Sequence, residues 1–317
     1  MGKKSKSNNK QIKKILTGII SVIVLIILAI VGSNSELIDT ISKQLNINLG
    51  ETQELTNIEK QNDNQAIMTD NLKIYFIDVG QADSILIINK DKSMLIDAGN
   101  NGDGKKVVEF IKEKKISKLD YLIGTHPHED HIGGLDNVIN SFEIENVYMP
   151  KIETTTKTFE DVLDAISNKG LNITAPKKGD TFEIGDATCE IMTDAILDKN
   201  NLNLSSITIK LQFGNNSFLF MGDAETKNED TRQWEKVDVL KVAHHGSTTS
   251  SGVKFINQVK PEIAIIMVGK NNSYKLPKEE VLNRLKDVNS TIYRTDITGS
   301  IEMICDGNEI IVNTKEQ

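Results

Sequence analysis

The sequence predicts an α/β fold, in which two β-sheets pack face to face between outer helices and a single membrane-spanning helix precedes them. Two strand-rich blocks, each flanked by helix-like segments, predict the sheets, because apolar sheet faces are best buried against each other. One uncharged run near the N-terminus predicts the membrane helix. Polar residues directly follow several apolar strand-like runs, which predicts a site at the strand ends.

The globular part is predicted to begin near residue 71. Short apolar or alternating runs indicate strands, and spacings of three and four residues indicate helices. The first block is predicted to have strands 72–79, 84–89, 93–97 and 120–125 with helices 105–114 and 159–168. The second block is predicted to have strands 182–193, 206–213, 217–221, 237–243, 262–268, 291–295, 300–305 and 309–312 with helices 253–259 and 277–285.

The N-terminal region predicts a membrane anchor. The uncharged run at 15–35 supports a spanning helix over 15–34, since about 20 residues cross a hydrocarbon core of about 30 Å. A cleaved signal peptide is the alternative, but its apolar part is only about 7–15 residues and ends at a small-residue site that matches poorly here. Residues 1–14 hold six lysines and no acid, which predicts a cytoplasmic basic tail.

The segment after the anchor, residues 35–70, is rich in Asn, Gln, Glu and Ser and predicts a flexible stalk. The domain at 71–317 is then expected outside the cell membrane of a single-pass protein, and we infer no obligate protein partner. Beyond residue 14 the chain has 31 basic and 45 acidic residues, a net charge of −14, so it offers no bulk attraction to polyanions. Only two cysteines, Cys189 and Cys305, are present, which excludes a thiolate zinc cluster.

All five histidines lie in two short clusters. The first cluster, at 125–134, follows an apolar strand and contains His126, His128, Asp130 and His131. In an extended segment His126 and His128 point to the same side, because side chains alternate along a strand. Imidazoles and carboxylates at this density suit Zn²⁺, with Mn²⁺ or iron as alternatives. Two glycines follow, which we expect to allow close backbone packing.

Carboxylates that end apolar strands supply further candidates. Asp223 follows the apolar run 217–221 and is expected to bridge two metal ions, which would explain a charge at a buried position. Asp97 is expected to orient a metal-binding histidine from behind. Asp78 is either another such support or a turn residue.

The second histidine cluster places His244 beside His245 after strand 237–243. Neighbours in an extended segment face opposite ways, so one is expected to bind metal and the other to donate a proton or contact substrate. We predict His244 as the ligand.

These motifs resemble the metallo-β-lactamase superfamily and, within it, the hydrolase domain of ComEC-type competence proteins. The matching segments are 78–83, 97–99, 125–134, 201–206, 222–225, 241–247, 293–296 and 299–301. The resemblance implies an αββα metallo-β-lactamase sandwich with metal ions at one edge of the sheets.

The resemblance also implies roles for individual residues. His126 and His128 would bind a first metal, Asp130 and His131 a second, and Asp223 would bridge them. The superfamily has a further histidine near 203–206, where this chain, like the ComEC-type proteins, has asparagine and serine. Asn203 and Ser206 are therefore candidates for polar contacts with substrate or water.

The chain departs from the family pattern at two positions. Ala82 replaces a glycine, which is a small change. Leu276 stands where the family has histidine, and leucine cannot bind a metal. We therefore expect the second metal to be held weakly unless His244 or His245 compensates.

The predicted activity is a metal-dependent hydrolase outside the cytoplasm, with a phosphodiester substrate and DNA as one candidate. Asp130 would orient the nucleophile, and His245 or Lys241 would stabilise the leaving group or transition state. One alternative is hydrolysis of cell-envelope phosphate esters such as phosphocholine. Another is a membrane-tethered binding module with weak or no catalysis.

Overall fold

The computed structural model describes residues 71–314, which form four layers in the order helix, sheet, sheet, helix. The facing sheets bury a central apolar core, in which the rings of Phe76 and Phe220 lie 6.4 Å apart. The predicted sandwich is therefore confirmed for this part of the chain. The predicted basic tail, anchor and stalk lie outside the described residues. Within residues 71–314, no helix combines the length and apolar character needed to cross a membrane.

The first sheet has an antiparallel part and a parallel part. Its strands are β1 (Leu72–Phe76), β2 (Ile85–Asn89), β3 (Lys92–Ile96), β4 (Lys118–Ile123), β5 (Glu143–Tyr148), β6 (Ile173–Thr174), β14 (Ile301–Cys305) and β15 (Ile310–Thr314). They lie in the order β15-β14-β1-β2-β3-β4-β5-β6. Strands β3, β4, β5 and β6 are parallel to their neighbours in that run, whereas the pairs from β15 to β3 are antiparallel.

The second sheet also has an antiparallel part and a parallel part. Its strands are β7 (Thr181–Ile184), β8 (Ala187–Ile191), β9 (Ile209–Phe213), β10 (Asn216–Phe220), β11 (Val239–Lys241), β12 (Ile263–Ile266) and β13 (Thr291–Arg294). They lie in the order β13-β12-β11-β10-β9-β8-β7, and β10 to β13 are parallel.

The helices cover the outer faces of both sheets. They are α1 (Gly104–Glu113), α2 (Glu129–Ile132), α3 (Leu135–Ser141), α4 (Lys157–Asn168), α5 (Thr226–Glu229), α6 (Val253–Val259), α7 (Glu279–Asp287) and α8 (Thr295–Thr298). Apolar residues of α1, α3 and α4 pack on the first sheet, and those of α6 and α7 on the second. Burial of each large apolar side chain stabilises the fold by about 1.5–3 kcal/mol.

The structure differs from the predicted elements in two of the strands, and the short elements α5, α8 and β6 were not predicted either. The strand predicted over 182–193 is the hairpin β7–β8, which turns at Gly185 with a φ of +61°. A Cβ there would come within 2.2 Å of the Asn89 side chain, so only glycine fits. Strand β5 was not predicted, because Glu143 and Glu145 interrupt the apolar pattern that marked the other strands.

The topology brings six loops to one edge of the sandwich. The loops after β3 and β4 leave the same edge because these strands are parallel, and the loop after β1 joins them since β1 and β3 both pair antiparallel with β2. The loops after the parallel strands β10, β11 and β12 share an edge in the same way. All the candidate metal ligands lie in these loops.

Candidate metal centre

The first histidine cluster begins where β4 ends and is held by Asp97. The Asp97 carboxylate accepts hydrogen bonds from the backbone N–H of Thr125 at 2.8 Å and from its hydroxyl at 2.7 Å. The chain then passes through His126 and an extended His128 before α2 begins. The two rings point to the same side, as predicted, and His126 Nε2 lies 3.0 Å from His128 Nδ1.

Close backbone packing after the cluster depends on two glycines. A Cβ at Gly133 would lie 2.3 Å from the backbone of Asn100 and Asn101, and one at Gly134 would lie 2.4 Å from the carbonyl oxygen of Ala98. Any side chain at these positions would push the β3 and β4 loops apart. The expected role of the glycines in packing is confirmed.

Four side chains converge on one point and form what we call the acidic group, Asp130, His131, Asp223 and His245. Their candidate ligand atoms all lie within 4.8 Å of one another. His131 Nε2 is 3.3 Å from Asp223 Oδ1, and His245 Nε2 is 3.3 Å from Asp130 Oδ2. His131, Asp223 and His245 are buried, whereas Asp130 is partly exposed.

The hydrogen bonds behind the acidic group involve Nδ1 of His131 and Nδ1 of His245, so Nε2 of each ring faces the other candidate ligands. His131 Nδ1 lies 2.8 Å from Asp97 Oδ2, and His245 Nδ1 lies 2.8 Å from the carbonyl oxygen of Met267. A carbonyl oxygen can only accept, so His245 donates from Nδ1 and its Nε2 carries a free lone pair. Asp97 therefore has the supporting role predicted for it.

The acidic group also contains buried polar atoms that lack partners. His131 Nε2 and Asp223 Oδ1 face each other, yet neither has a hydrogen-bond partner among the described residues. Buried polar groups are nearly always satisfied, and an exception needs an explanation such as an ion. Imidazole nitrogens and carboxylate oxygens are ligands of Zn²⁺ and Mn²⁺, so the residues fit a divalent metal.

The electrostatics of the acidic group favour a cation. Burial alone would lower the pKa of His131, but three surrounding carboxylates raise it well above its usual value. Burial would raise the pKa of Asp223 and of Asp130, but neighbouring imidazoles lower both. The carboxylates therefore stay ionised and attract positive charge to the space between them.

His126 and His128 form a second set, which we call the imidazole pair. Burial, followed by the proximity of His131, lowers the pKa of His126 well below its usual value, so its ring stays neutral. Its Nδ1 lies 3.2 Å from the Thr125 hydroxyl and 3.4 Å from the Ser206 hydroxyl. Its Nε2 is thereby directed towards His128. The family resemblance implies that this pair binds a metal together with Asp223, and the structure brings the two imidazoles of the pair into contact.

Of the two residues expected to contact substrate, only Asn203 lies at the pocket. Asn203 lines it, and its Nδ2 lies 3.4 Å from both ring nitrogens of His244. Ser206 is fully buried, and its hydroxyl accepts a hydrogen bond from the backbone N–H of Asp223. Ser206 therefore orients the metal ligands from behind and does not reach a substrate.

The second histidine cluster is not extended as predicted. His244 and His245 both have a φ of 50°, so the chain turns tightly there instead of alternating. This turn carries His245 into the acidic group and leaves His244 at the pocket wall, 3.8 Å from Asp223 Oδ2. The geometry thus favours His245 as the ligand in place of His244, and it leaves His244 for substrate contact.

Lys241 has a different position from the one predicted. Its ammonium is buried and lies 2.5 Å from Asp83 Oδ2, and it also donates to the carbonyl oxygen of Val242 at 3.0 Å. The side chain is therefore used inside the protein and cannot contact a leaving group. All three residues of β11 are buried, Lys241 among them. The prediction of a catalytic lysine was wrong because the sequence pattern did not indicate this burial.

Asp83 is a functional residue that the sequence reasoning missed. It is 1% exposed, pairs with Lys241, and places Oδ1 3.5 Å from His245 Nδ1. Asp83 is the last residue of the 78–83 motif, and this position was the one feature of the sequence that pointed to it. Asp78 instead caps a turn by accepting a hydrogen bond from the N–H of Gly80 at 3.1 Å, and it does not support a metal ligand.

An open pocket of about 310 Å³ gives access to both ligand sets. Its metal-facing side includes His128, Asp130, Asp223, His244 and His245. The rest of its wall is formed by Gln81, Glu129, Asn203, Tyr274 and Leu276. The family histidine replaced by Leu276 would thus have faced this pocket.

Together the αββα layers and the ligand-bearing loops define a metallo-hydrolase fold. The profile of the metallo-β-lactamase superfamily matches residues 77–270, and the chain belongs to this superfamily. The resemblance to competence proteins is likewise confirmed by the relatives of this chain.

ComE operon protein 3 of Bacillus subtilis (strain 168) is 32% identical over 252 residues, which are 73% of this chain and 32% of that protein. Recombination protein 2 of Haemophilus influenzae is 31% identical over 235 residues, 72% of this chain and 28% of that protein. The chain thus spans about a third of the length of these relatives. The solved structure of the metallo-β-lactamase fold protein YhfI from Bacillus subtilis has a TM-score of 0.51 at 12% identity, over 77% of this chain and 100% of that one, and it shares the fold.

Proposed function

We propose that this protein is a metal-dependent phosphodiesterase. The observation that carries the proposal is the acidic group at the base of an open pocket, with unpartnered buried atoms on His131 and Asp223. The acidic group and the imidazole pair offer ligands for two metal ions. A pair of metal ions can stabilise the attacking and leaving oxygens of a phosphoryl displacement. The similarity to competence proteins supports a nucleic-acid-derived substrate, with DNA as the candidate.

A divalent metal held by these residues would supply a more acidic water at neutral pH, since it lowers the pKa of a bound water to about 7. The chain's own residues supply the positioning. Asp130 reaches from the acidic group to the pocket, where its ionised carboxylate can accept a hydrogen bond from an attacking water and orient it. Asp97 and the Met267 carbonyl fix the rings of His131 and His245, so the ligand geometry exists before substrate arrives.

Few basic side chains are placed to hold a long polyanion at the site, which favours a short phosphodiester substrate. Among the basic residues of the second half of the chain, Lys241 is buried against Asp83, and Arg294 forms a two-pronged ion pair with Asp296 at 2.6 and 3.0 Å. Lys270 and Lys275 are exposed. Neither lysine lines the metal pocket, and Lys270 lines a separate pocket with Asp78 and Asp296. The net charge of the chain provides no attraction for a polyanion at long range.

The location of the reaction is part of the proposal. We propose that residues 15–34 anchor the protein in the cell membrane and that the hydrolase domain acts on the outer side. The lysine-rich tail supports this orientation.

The test combines metal content with a substrate panel on the full-length protein. Elemental analysis should find at least one transition metal per chain, and bis-p-nitrophenyl phosphate should be cleaved. We expect His128→Ala and Asp130→Ala to lower the rate more than about 100-fold, because even residues that only orient ligands cost about 10–100-fold. Asp78→Asn is the matched control, since Asp78 is a loop carboxylate outside the ligand sets.

The same panel separates the alternatives. Faster cleavage of p-nitrophenyl phosphorylcholine than of single-stranded DNA would favour an envelope phosphate ester as the substrate. A metal-loaded protein that cleaves no phosphodiester would be a membrane-tethered binding module, and the proposal would then be wrong.

A further inference from the structure

The loop over residues 269–278 carries an aromatic side chain that the metal chemistry does not use. Tyr274 lines the metal pocket, yet 67% of its surface is exposed. Leu276, beside it in the pocket wall, is partly buried and packs against the core under the second sheet. These two side chains are apolar surface on one wall of an otherwise polar pocket, and we call them the apolar wall.

The loop that presents the apolar wall is fixed internally by Asn272. The Asn272 amide donates to the carbonyl oxygens of Gly269 and Leu276 at 2.9 and 2.7 Å, and its Oδ1 accepts from the backbone N–H of Leu276 at 3.0 Å. One side chain thus joins the beginning of the loop to its end. The loop is held in one shape, which reduces the entropy lost when a ligand binds.

Both ends of the loop are also anchored to the metal site. Gly269 donates to Gln81 Oε1 at 3.1 Å, and a Cβ at Gly269 would lie 2.7 Å from the Gln81 backbone nitrogen. Lys278 donates from its backbone N–H to the carbonyl oxygen of Gly246 at 2.9 Å, directly after the metal-facing His245. The backbone that carries Tyr274 is therefore tied to the loop of Gln81 and to the turn of His245.

The charges of the loop indicate what the wall binds. Lys270, Lys275 and Lys278 lie in it, and residues 269–278 contain no acid. Lys275 adjoins Tyr274 in the chain, and Lys278 Nζ donates to the carbonyl oxygen of Tyr274 at 2.8 Å, so positive charge lies beside the wall and favours a phosphate over a cation such as choline. A flat neutral ring attached to a phosphate gains from stacking on the aromatic face and from the adjacent positive charge.

We propose that Tyr274, backed by Leu276, stacks a nucleobase of the substrate beside the scissile phosphate. This inference rests on the proposed phosphodiesterase activity and narrows its substrate class to nucleotide esters. Tyr274 is a specificity residue that binds the substrate outside the reacting atoms, so its loss affects KM and leaves kcat nearly unchanged.

The experiment compares two esters with the same leaving group, thymidine 5′-(p-nitrophenyl phosphate) and methyl p-nitrophenyl phosphate, on the full-length metal-loaded protein. Base stacking contributes about 5- to 100-fold in affinity, so Tyr274→Ala should raise KM for the thymidine ester by that factor. KM for the methyl ester should change less than about 2-fold. Tyr274→Phe and Tyr274→Trp should retain the wild-type KM, since both keep an aromatic face.

Controls separate a local effect from a general one. Ile311→Ala removes another exposed apolar side chain, on the edge strand β15, and should leave both KM values unchanged. Asn272→Ala does not remove the stacking face but loosens the loop, so it should raise KM for the thymidine ester selectively. An equal rise for both esters in Tyr274→Ala would overturn the inference, because the wall would then contact the shared nitrophenyl group.

A binding measurement keeps the inference testable without turnover. Wild-type protein should bind thymidine 5′-monophosphate about 5- to 100-fold more tightly than Tyr274→Ala in calorimetry. Equal affinity would refute the role of the wall even if esters are cleaved. Failure to cleave any ester would refute the proposed function separately, whatever the binding result.

Discussion

The imidazole pair and the acidic group share one pocket but differ in completeness. The acidic group brings two carboxylates and two imidazoles within 4.8 Å, whereas the imidazole pair has its two nitrogens 3.0 Å apart and Asn203 and Ser206 where the superfamily has a further histidine. The leucine at position 276 predicted a weak second site unless His244 or His245 compensates, and the position of His245 in the acidic group fits that alternative. The comparison teaches that His245 completes the acidic group without a ligand from position 276.

The largest test of this difference removes one histidine from each set. We expect His245→Ala to lose the more tightly held metal and His128→Ala the more weakly held one, with hydrolysis reduced more than about 100-fold in both. Metal titration followed by elemental analysis measures the two affinities. His244→Ala is the matched neighbour and should retain full metal content. Equal metal loss in His244→Ala and His245→Ala would break the assignment of the ligand.

The second test concerns the buried ion pair behind the acidic group. Lys241→Met leaves the Asp83 carboxylate buried without its cation, so the free energy of unfolding should fall by about 3–5 kcal/mol. Chemical denaturation measures this change. Lys236→Met is the control, because Lys236 pairs with Glu262 on the surface, where water screens the pair, and its loss should leave the free energy of unfolding nearly unchanged. A stable Lys241→Met protein that has lost only kcat would restore Lys241 as a catalytic residue.

The smallest expected effect concerns Glu229, a buried carboxylate whose pKa is shifted in the opposite direction to that of Asp223. No imidazole is among the groups that shift the pKa of Glu229, and burial raises it to about 7 although the backbone N–H groups of Ser251 and Gly252 donate to it. The folded state therefore prefers the protonated acid. Its contribution to stability is complete below about pH 4.5 and is lost as pH rises through about 7.

Thermal unfolding across this range should show the effect of Glu229. The expected loss of stability is at most about 3 kcal/mol, and Glu229→Gln should flatten the pH dependence because it cannot ionise. A profile in Glu229→Gln as steep as that of wild type would assign the pH dependence to other groups.

The sequence predicted the sandwich and the edge at which most of the candidate ligands lie, because both depend on local patterns. Apolar runs marked the strands, and His126 and Asp223 each come shortly after one, which places them at a sheet edge. These signals survive folding because strand ends and side-chain alternation are properties of neighbouring residues.

The remaining assignments depended on contacts that a local pattern does not contain. The choice between His244 and His245 turned on two positive φ values, and a strand-like pattern gives no indication of them. The burial of Lys241 required a partner 158 positions earlier in the chain, Asp83. The fully buried position of Ser206 likewise follows from how the two sheets meet.

The backbone hydrogen bonds between the ligand loops have a consequence for how this chain can diverge. Asp83 donates from its N–H to the carbonyl oxygen of Asp130, Gly99 donates to that of Asp83, and Ala98 donates to that of His131, all at 2.8–3.1 Å. Main-chain atoms, common to every residue type, therefore set the spacing of these loops. Substitutions elsewhere around the rim can accumulate without displacing the catalytic core, so new substrates become accessible to mutation while the underlying chemistry is inherited unchanged.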